Sequence, residues 1–515
     1  MILNNDKATS RPLGVAKGLV NRPIDEEMVY AKKVVLTGER EILATRNGRW
    51  CFIDALILLS RVVGDLTVVL PDGFGEFEAE VRAFCARAWS RGEIRLIHHA
   101  SPLSLEASDA VLSIGTMARP NCAWTVINSN GWVARVSSGV SGLPADVALP
   151  NPIGALMAAS LGVSEVFKRI FGVPPDVAPM LEKIEFSLFE QTSSPTWIGP
   201  ALPETIHLPD TLLVGAGAIG NGIAWLFSQL SVRGRVHIVD KQEFGDENLG
   251  TCILLELAGW LGEPKAQRVA AWLRENSNLT VTGEKALIES ARSGASVSSL
   301  SIDLVLNGLD DVQARRDAQG LWPAVIVDGG INAIGAAVIQ HRFDIADMAC
   351  LMCWFEAPKI DERQLQSQWT GLSAESLIDT GRLLTEDDIA RAAESKREWL
   401  RAQARAGKTV CSVITEAALA RSLGVDVEEG FRPSVPFVAT ASAAMVVAEA
   451  VKALAFPEEP VVSMFQMASV FLGPEESYVK VLRHPSPSCQ CIVHRNTINA
   501  IGARRRQAAP KVARP

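Results

Sequence analysis

The chain has 515 residues, 48% of them hydrophobic and 21% charged, the composition of a folded protein too long for one core. Its formal net charge of −8 argues against nucleic acid as the principal partner. No stretch reaches the roughly 18 uncharged apolar residues of a membrane span, and no secretion signal is evident from Met1 to Lys7. Nine cysteines, some closely spaced, suit a reducing cytoplasm and metal better than disulfides.

In chain order, residues 34–38 read as a strand entering a turn, and residues 66–72 as a strand ending at Asp72. Residues 108–115 and 124–128 give two more strands, and a small-residue helix over 158–168 carries Glu165 and Lys168. Alternating apolar strands and helical segments predict a parallel α/β sheet. The turn after the first strand holds Glu39 and Glu41, carboxylates where a phosphate would need bare N–H groups. Residues 191–196 are polar and rich in breakers, and they predict a link.

The second half repeats this order with different chemistry. An apolar strand from Thr211 enters the turn Gly215-Ala-Gly-Ala-Ile-Gly220, and a second strand ends at Asp240. This is the layout of a nucleotide-binding Rossmann unit. Gly215 and Gly217 allow a tight turn and close approach of phosphate, and Gly220 lets the helix pack on the strand. Asp240 stands where a carboxylate accepts ribose hydroxyls. Further strands over 302–308 and 322–328 match 108–115 and 124–128, and the helix over 443–452 repeats the Glu-x-x-Lys pair as Glu449 and Lys452.

Residues 355–434 interrupt this second sheet and include a charged, helix-favouring run over 383–406. Within them Cys411 follows Gly407 and Lys408 at an expected helix start, where N–H groups, helix dipole and the lysine charge favour a thiolate nucleophile. Cys350 and Cys353, with Cys489 and Cys491 far downstream, suggest a closed tetrahedral zinc site, His494 being an alternative ligand. Cys51, Cys85, Cys122 and Cys252 read as small buried hydrophobes.

Taken together, the glycine turn, Asp240, Glu247-Asn-Leu249, Gly262-Glu-Pro-Lys265 and residues 305–316 resemble the ThiF/MoeB/HesA adenylyltransferases and the adenylation domains of ubiquitin-activating enzymes. The resemblance covers roughly residues 205–495. It implies an α/β fold of two Rossmann-like ThiF-type domains, with residues 1–190 inactive and residues 209–354 and 435–498 active. A linker at 191–208, a helical catalytic-cysteine insertion at 355–434 and a basic disordered tail at 499–515 complete the expected organisation.

By the same resemblance, Asp240 holds the ribose, Asn248 faces the nucleotide phosphates and Lys265 neutralises the phosphates of ATP. Asp310 places Mg²⁺ or the attacking carboxylate, Cys411 takes the acyl group as a thioester, and Cys350, Cys353, Cys489 and Cys491 hold Zn²⁺. One departure stands out: the family follows Asn-Leu with Asn-Arg-Gln, whereas this chain has Gly250-Thr251-Cys252. Arg315, Arg316, Arg11 and Arg22 are candidate replacements for the missing cation.

The implied activity is ATP-dependent activation of a ubiquitin-like protein with an exposed C-terminal glycine, followed by transfer to a ubiquitin-conjugating-enzyme-like protein. The resemblance is strongest to bacterial ubiquitin-like conjugation systems, some of them linked to phage defence. The fused inactive half makes the chain pseudo-dimeric and leaves a further homodimer open. The alternatives are a sulfur-carrier adenylyltransferase of the thiamine or molybdopterin type, a non-enzymatic scaffold and, last, an NAD dehydrogenase.

Overall fold

Two sheets organise the chain. The first contains β1 (Lys33–Gly38), β2 (Asp65–Val69), β3 (Ile94–Ile97), β4 (Ala110–Ile114), β5 (Trp124–Asn130), β6 (Val133–Ser137) and β7 (Ile184–Ser187). The second contains β8 (Ile206–His207), β9 (Thr211–Val214), β10 (Val232–Val239), β11 (Asn278–Glu284), β12 (Leu304–Asn307), β13 (Val325–Ile331), β14 (Ala336–Arg342), β15 (Met464–Met467) and β16 (Tyr478–Val481). This computed structural model describes residues 5–20, 23–99, 105–119, 122–255, 258–293, 302–309, 311–331, 335–343, 348–355, 362–423, 434–458, 464–467, 478–481 and 483–508.

The first sheet runs β3-β2-β1-β4-β5-β6-β7, and the second runs β11-β10-β9-β12-β13-β14-β15-β16 with β8 paired to β10. Over seven positions the two orders are the same. In each sheet the first five strands pair in parallel, and the next two join antiparallel. Each strand matched between the halves by sequence therefore occupies the same place in its sheet.

Eight helices matter for the site and its support: α1 (Asn5–Val20), α2 (Arg46–Val62), α3 (Pro152–Phe171), α4 (Ala218–Gln229), α5 (Lys265–Asn276), α6 (Val312–Gln319), α7 (Val410–Leu423) and α8 (Pro436–Ala455). Their ends follow from local chemistry. The Asn151 side chain caps α3 by accepting from the Ile153 N–H, Pro152 begins the helix, and Gly172 ends it in the left-handed region at φ 63°. Thr45 caps α2 by accepting from Gly48 N–H.

The halves are not separate bodies, because α2 and α3 of the first pack against α4 and α8 of the second, and one core runs through both. Ser160 and Thr440 share a hydrogen bond of 2.8 Å across the α3–α8 contact, and the Phe167 and Phe437 rings meet edge-on at 5.4 Å. Trp225 Nε1 donates to buried Asp54 at 2.8 Å. Burial pushes the Asp54 carboxyl up to about 8 against that hydrogen bond.

Both Glu-x-x-Lys pairs lie in this core. Lys168 meets Glu165 at 2.5 Å and Lys452 meets Glu449 at 3.1 Å, on α3 and α8 respectively. Both pairs make further bonds: Leu181 N–H donates to Glu165, Lys168 donates to the Pro179 carbonyl, Gln340 donates to Glu449 and Lys452 donates to the Phe189 carbonyl. Such pairs persist in a core only when the other lone pairs and protons are satisfied. Helix α8 is the one described helix long and apolar enough to cross a membrane, but its apolar window is 89% buried in the protein.

In the first half the turn after β1 is filled from within. Glu39 Oε1 accepts the N–H groups of Thr116 and Met117 at 2.9 and 2.8 Å, and Oε2 accepts the Thr116 hydroxyl at 2.8 Å. A side-chain carboxylate holds the donors at the end of β4. Asp72, placed like Asp240, contacts His99 at 3.0 Å.

Two expected boundaries need correction. The 191–208 link is partly built into the fold: Ile206–His207 joins the second sheet, and Trp132 donates through N–H to Ile198 O and through Nε1 to Pro200 O, both at 2.9 Å. Backbone pairing and the Trp132 ring anchor this polar segment. The tail expected to be disordered from 499 continues the helix Arg495–Ala508. Buried Ile498 anchors that helix, and alanine, arginine and glutamine favour it; residues 509–515 lie outside the described residues.

Residues Glu356–Pro433 form a separate compact unit with its own small core of Leu372, Leu377, Leu384, Ile389, Leu400, Val410 and Val413. The run over 383–406 is split into Glu386–Arg391 and Arg397–Arg405. A Thr385–Asp388 capping box starts the first piece, and Ala392 leaves the helical region to end it.

Candidate active site

The second sheet carries its candidate site at the carboxyl ends of β9, β10 and β12, where open parallel sheets bind ligands. Gly215 leaves β9 at φ 88°, a conformation that favours glycine. Gly220 lies so close to the Gly215 carbonyl that a Cβ there would stand 2.0 Å from the oxygen. Gly217, the N-cap of α4, has an ordinary φ of −76°, and a Cβ on it would meet nothing within 4 Å. The turn therefore opens outward at Gly217 and presents first-turn N–H groups and the positive end of the helix, an anion-binding arrangement.

Asp240 braces this turn. Its Oδ2 accepts the Ala216 N–H and its Oδ1 accepts the Gln242 N–H, both at 2.7 Å. Each carboxylate oxygen retains a second acceptor direction, so the brace is compatible with a ribose contact. Asn248 is buried, and its Oδ1 accepts the Gly245 N–H at 2.9 Å. That bond fixes the turn leading to Thr251 and Cys252, whose N–H groups donate to the Asn248 carbonyl.

Lys265 begins α5 and is only 4% exposed. Its ammonium donates to Gln242 Oε1 at 2.8 Å and lies 5.9 Å from the centre of the Phe244 ring. Both are neutral groups, and among the described residues no carboxylate pairs with it. A buried ammonium without a countercharge is costly. Among the described residues, the Lys265 charge is met only by these neutral groups, which suits contact with an anion.

Further positive charge lies around Thr251 and Cys252. Helix α1 packs on the turn Asp246–Asn248, and Arg61, 2% exposed at the end of α2, donates to the Ile253 carbonyl at 3.3 Å. Burial raises the Cys252 thiol, while the charges of Lys265, Arg11 and Arg61 pull it down. Two arginines from the first half therefore stand near the position where the family arginine is replaced. Arg61 was missed in the sequence, although Asp54 and Arg61 are the two charges in the largely apolar run 51–62. Buried charge was the available signal.

Two other candidates for that cation are committed elsewhere. Arg315 pairs with Asp328 at 3.2 Å, donates to the Gly329 carbonyl and lies over the Phe355 ring. Arg316 donates to the Phe355 carbonyl at 2.6 Å. Arg22 and Asp310 lie outside the described residues.

The four cysteines Cys350, Cys353, Cys489 and Cys491 converge, with all sulfurs within 4.8 Å of one another. The Cys350–Cys353, Cys350–Cys489 and Cys353–Cys491 separations are 3.8, 3.6 and 3.6 Å. A disulfide would need about 2.05 Å, whereas a tetrahedron with metal–sulfur bonds of about 2.3 Å has edges of about 3.8 Å. The set fits zinc. The Cys350 thiol donates to Cys353 and holds it toward the thiolate form that a ligand requires, and Ser486 N–H donates to the Cys353 sulfur at 3.4 Å. His494 is exposed and stands outside the cluster, so it is not needed to complete it. Four protein ligands leave no open position, the mark of a structural site.

Within its own unit Cys411 is exposed on the first turn of α7, and its backbone N–H donates to Thr380 O at 2.7 Å. The expectation that Lys408 adds positive charge beside it needs correction. Lys408 is buried, and its ammonium bonds both oxygens of Glu416 at 2.8 and 2.9 Å as well as Gln403. Its charge is neutralised in that pair. Cys51 and Cys252 are buried as expected, whereas Cys85 and Cys122 are partly exposed.

The model of the ThiF family matches residues 190–491. The chain belongs to the ThiF family. Its similarity to the uncharacterized protein y4jF of Sinorhizobium fredii (strain NBRC 101917 / NGR234) is 27% identity over 354 residues, which is 66% of this chain and 64% of that protein. This ThiF-family chain thus spans just under two thirds of that relative's length. Among solved structures it is similar to E. coli MccB with MccA-N7isoASN, at 14% identity over 55% of this chain and 67% of that one, with a TM-score of 0.36. It is also similar to E. coli MccB with ATP, at 13% identity, 55% and 67% coverage and a TM-score of 0.35.

Proposed function

We propose that the protein binds ATP at the Gly215–Gly220 turn and adenylates the C-terminal carboxylate of a small ubiquitin-like protein. The observation that carries this reading is the buried ammonium of Lys265, bonded to the neutral Gln242 amide with no carboxylate partner among the described residues, beside a glycine turn open at Gly217. The partner's carboxylate oxygen attacks the α-phosphorus, the bond to the β-phosphate breaks and pyrophosphate leaves. Both reactants are anionic, so preorganised positive charge lowers the barrier. Lys265 and the α4 N-terminus supply part of that charge, and Arg11 and Arg61 offset the loss of the family arginine at Thr251. Magnesium, when bound, would screen the triphosphate; Asp310 is its candidate ligand by resemblance.

In the second step the Cys411 thiolate attacks the acyl carbon, AMP leaves, and the thioester passes to the thiol of a conjugating-enzyme-like protein. The exposure of Cys411 on a helical first turn supports this assignment. Separate cysteine and nucleotide residues predict separable defects. With ubiquitin-like proteins ending in Gly-Gly as substrates, Cys411→Ala should retain ATP–pyrophosphate exchange within about twofold and lose the reductant-sensitive thioester. Equal loss of both activities in a folded variant would contradict this division. Sulfide-dependent thiocarboxylate formation without a thioester would instead mark a sulfur-carrier adenylyltransferase.

A further inference from the structure

A buried polar chain runs behind the glycine turn. Asn307 ends β12 and is fully buried; its Nδ2 donates to Asp328 Oδ1 at 2.6 Å, and its Oδ1 accepts the Leu309 N–H at 3.2 Å. Asp328, buried on β13, meets Arg315 Nε at 3.2 Å, and the Arg315 Nη2 donates to the next carbonyl, Gly329 O, at 3.3 Å. These bonds connect α6, β13 and β12 in one relay. The segment they fix, Asn307 to Leu309, forms the back of the turn. A Cβ on Gly215 would stand 3.1 Å from Gly308 O, and a Cβ on Gly308 would stand 3.3 Å from the Gly220 nitrogen.

Gly329 leaves the relay no slack, because a Cβ there would press on Val446, Ser442 and Ile219 at 2.9–3.1 Å. A charged carboxylate this deep requires a purpose or a partner. Structural economy alone would favour an apolar residue. We infer that Asp328 is a positioning residue for nucleotide binding, acting through Asn307 and Arg315 to hold the end of β12 against the Gly215–Gly220 turn. This rests on the reading of that turn as the ATP site.

Burial pushes the Asp328 carboxyl up to about 7, against the pull of Arg315 and the Asn307 hydrogen bond. Arg315 is the charged group that faces it among the described residues; Asn307 and the neighbouring Gly329 backbone complete its surroundings. The brace is thus mostly charged at pH 8 and loses its ion pair as pH falls through about 7. Its effect on stability has the opposite sign. A folded-state value above that of the unfolded chain means the charged form costs stability above pH 7, a cost relieved as the group protonates on acidification.

The test compares full-length wild type, Asp328→Asn and Arg315→Lys. Mg·ATP affinity is measured by calorimetry from pH 6 to pH 8.5, together with hydrogen exchange in the 304–309 segment and thermal unfolding. For D328N at pH 8, Mg·ATP should bind about tenfold more weakly, exchange at Leu309 should accelerate, and the unfolding temperature should hold or rise. Relative to D328N, wild-type affinity should fall further as pH drops from 8 to 6, with R315K intermediate. Unchanged affinity and pH profile in D328N would overturn the inference, as would unchanged exchange at Leu309. Faster exchange in D328N, with no Mg·ATP binding by wild type, would instead overturn the nucleotide reading and with it the role of the brace.

Discussion

Replacing Lys265 with methionine is expected to weaken Mg·ATP binding while leaving the fold as stable as before or more so. The side chain keeps its length and apolar stem, so it still fills the space beside Phe244. What disappears is an ammonium bonded to one neutral amide, Gln242. In the free protein that charge is a desolvation cost with no compensating carboxylate among the described residues. In the proposed nucleotide complex it would make a charge-assisted contact worth about 1.5–3 kcal/mol, or roughly tenfold to a hundredfold in affinity. Calorimetric titration and thermal unfolding of the same samples check both halves of the expectation. A variant that melts several degrees lower yet binds Mg·ATP normally would make Lys265 a structural residue.

Replacing Cys353 with serine should abolish zinc binding and cost more than about 4 kcal/mol of stability, the size of loss associated with removing a structural metal. The cluster joins a segment just after β14 to one near residue 490, with more than a hundred residues between them. Few other described contacts tie those segments together: Ala349 N–H donates to Arg483 O, and Arg483 lies over the Trp354 ring. Metal analysis of the wild type should give one zinc per chain, and C353S should contain none and unfold at lower temperature. Zinc-free wild type with the same unfolding temperature as the variant would show that the four sulfurs do no more than pack.

The sequence revealed those parts whose chemistry repeats locally. Glycines at fixed spacing after an apolar strand specified the turn, and alternating elements in both halves indicated two parallel α/β sheets, although not their strand order. The four cysteines stood out as two short-spaced pairs, the pattern of a shared tetrahedral site, and their sulfurs converge. What could not be read depended on tertiary neighbours. Lys408 lies three residues from Cys411 in sequence, yet it turns inward to Glu416, a choice made by packing within that unit. Arg61 reaches Ile253 across nearly two hundred residues, and no spacing rule links them. Asp328 resembled the end of an ordinary strand until its bonds to Asn307 and Arg315 were visible. The helix Arg495–Ala508 was concealed by its charge, because a basic run reads as solvated chain unless an anchor such as Ile498 finds a core.

The central claim is that a nucleotide phosphate occupies the space in front of Gly217. Filling that space with a side chain is the most direct probe, since Gly217 has φ −76° and an added Cβ meets nothing within 4 Å, so Gly217→Val should fold normally. Titrating Mg·ATP into full-length wild type should give saturable binding at one site per chain, and G217V, with unchanged unfolding temperature, should show none. Undiminished binding by G217V, or no saturable binding by the wild type, would contradict the account.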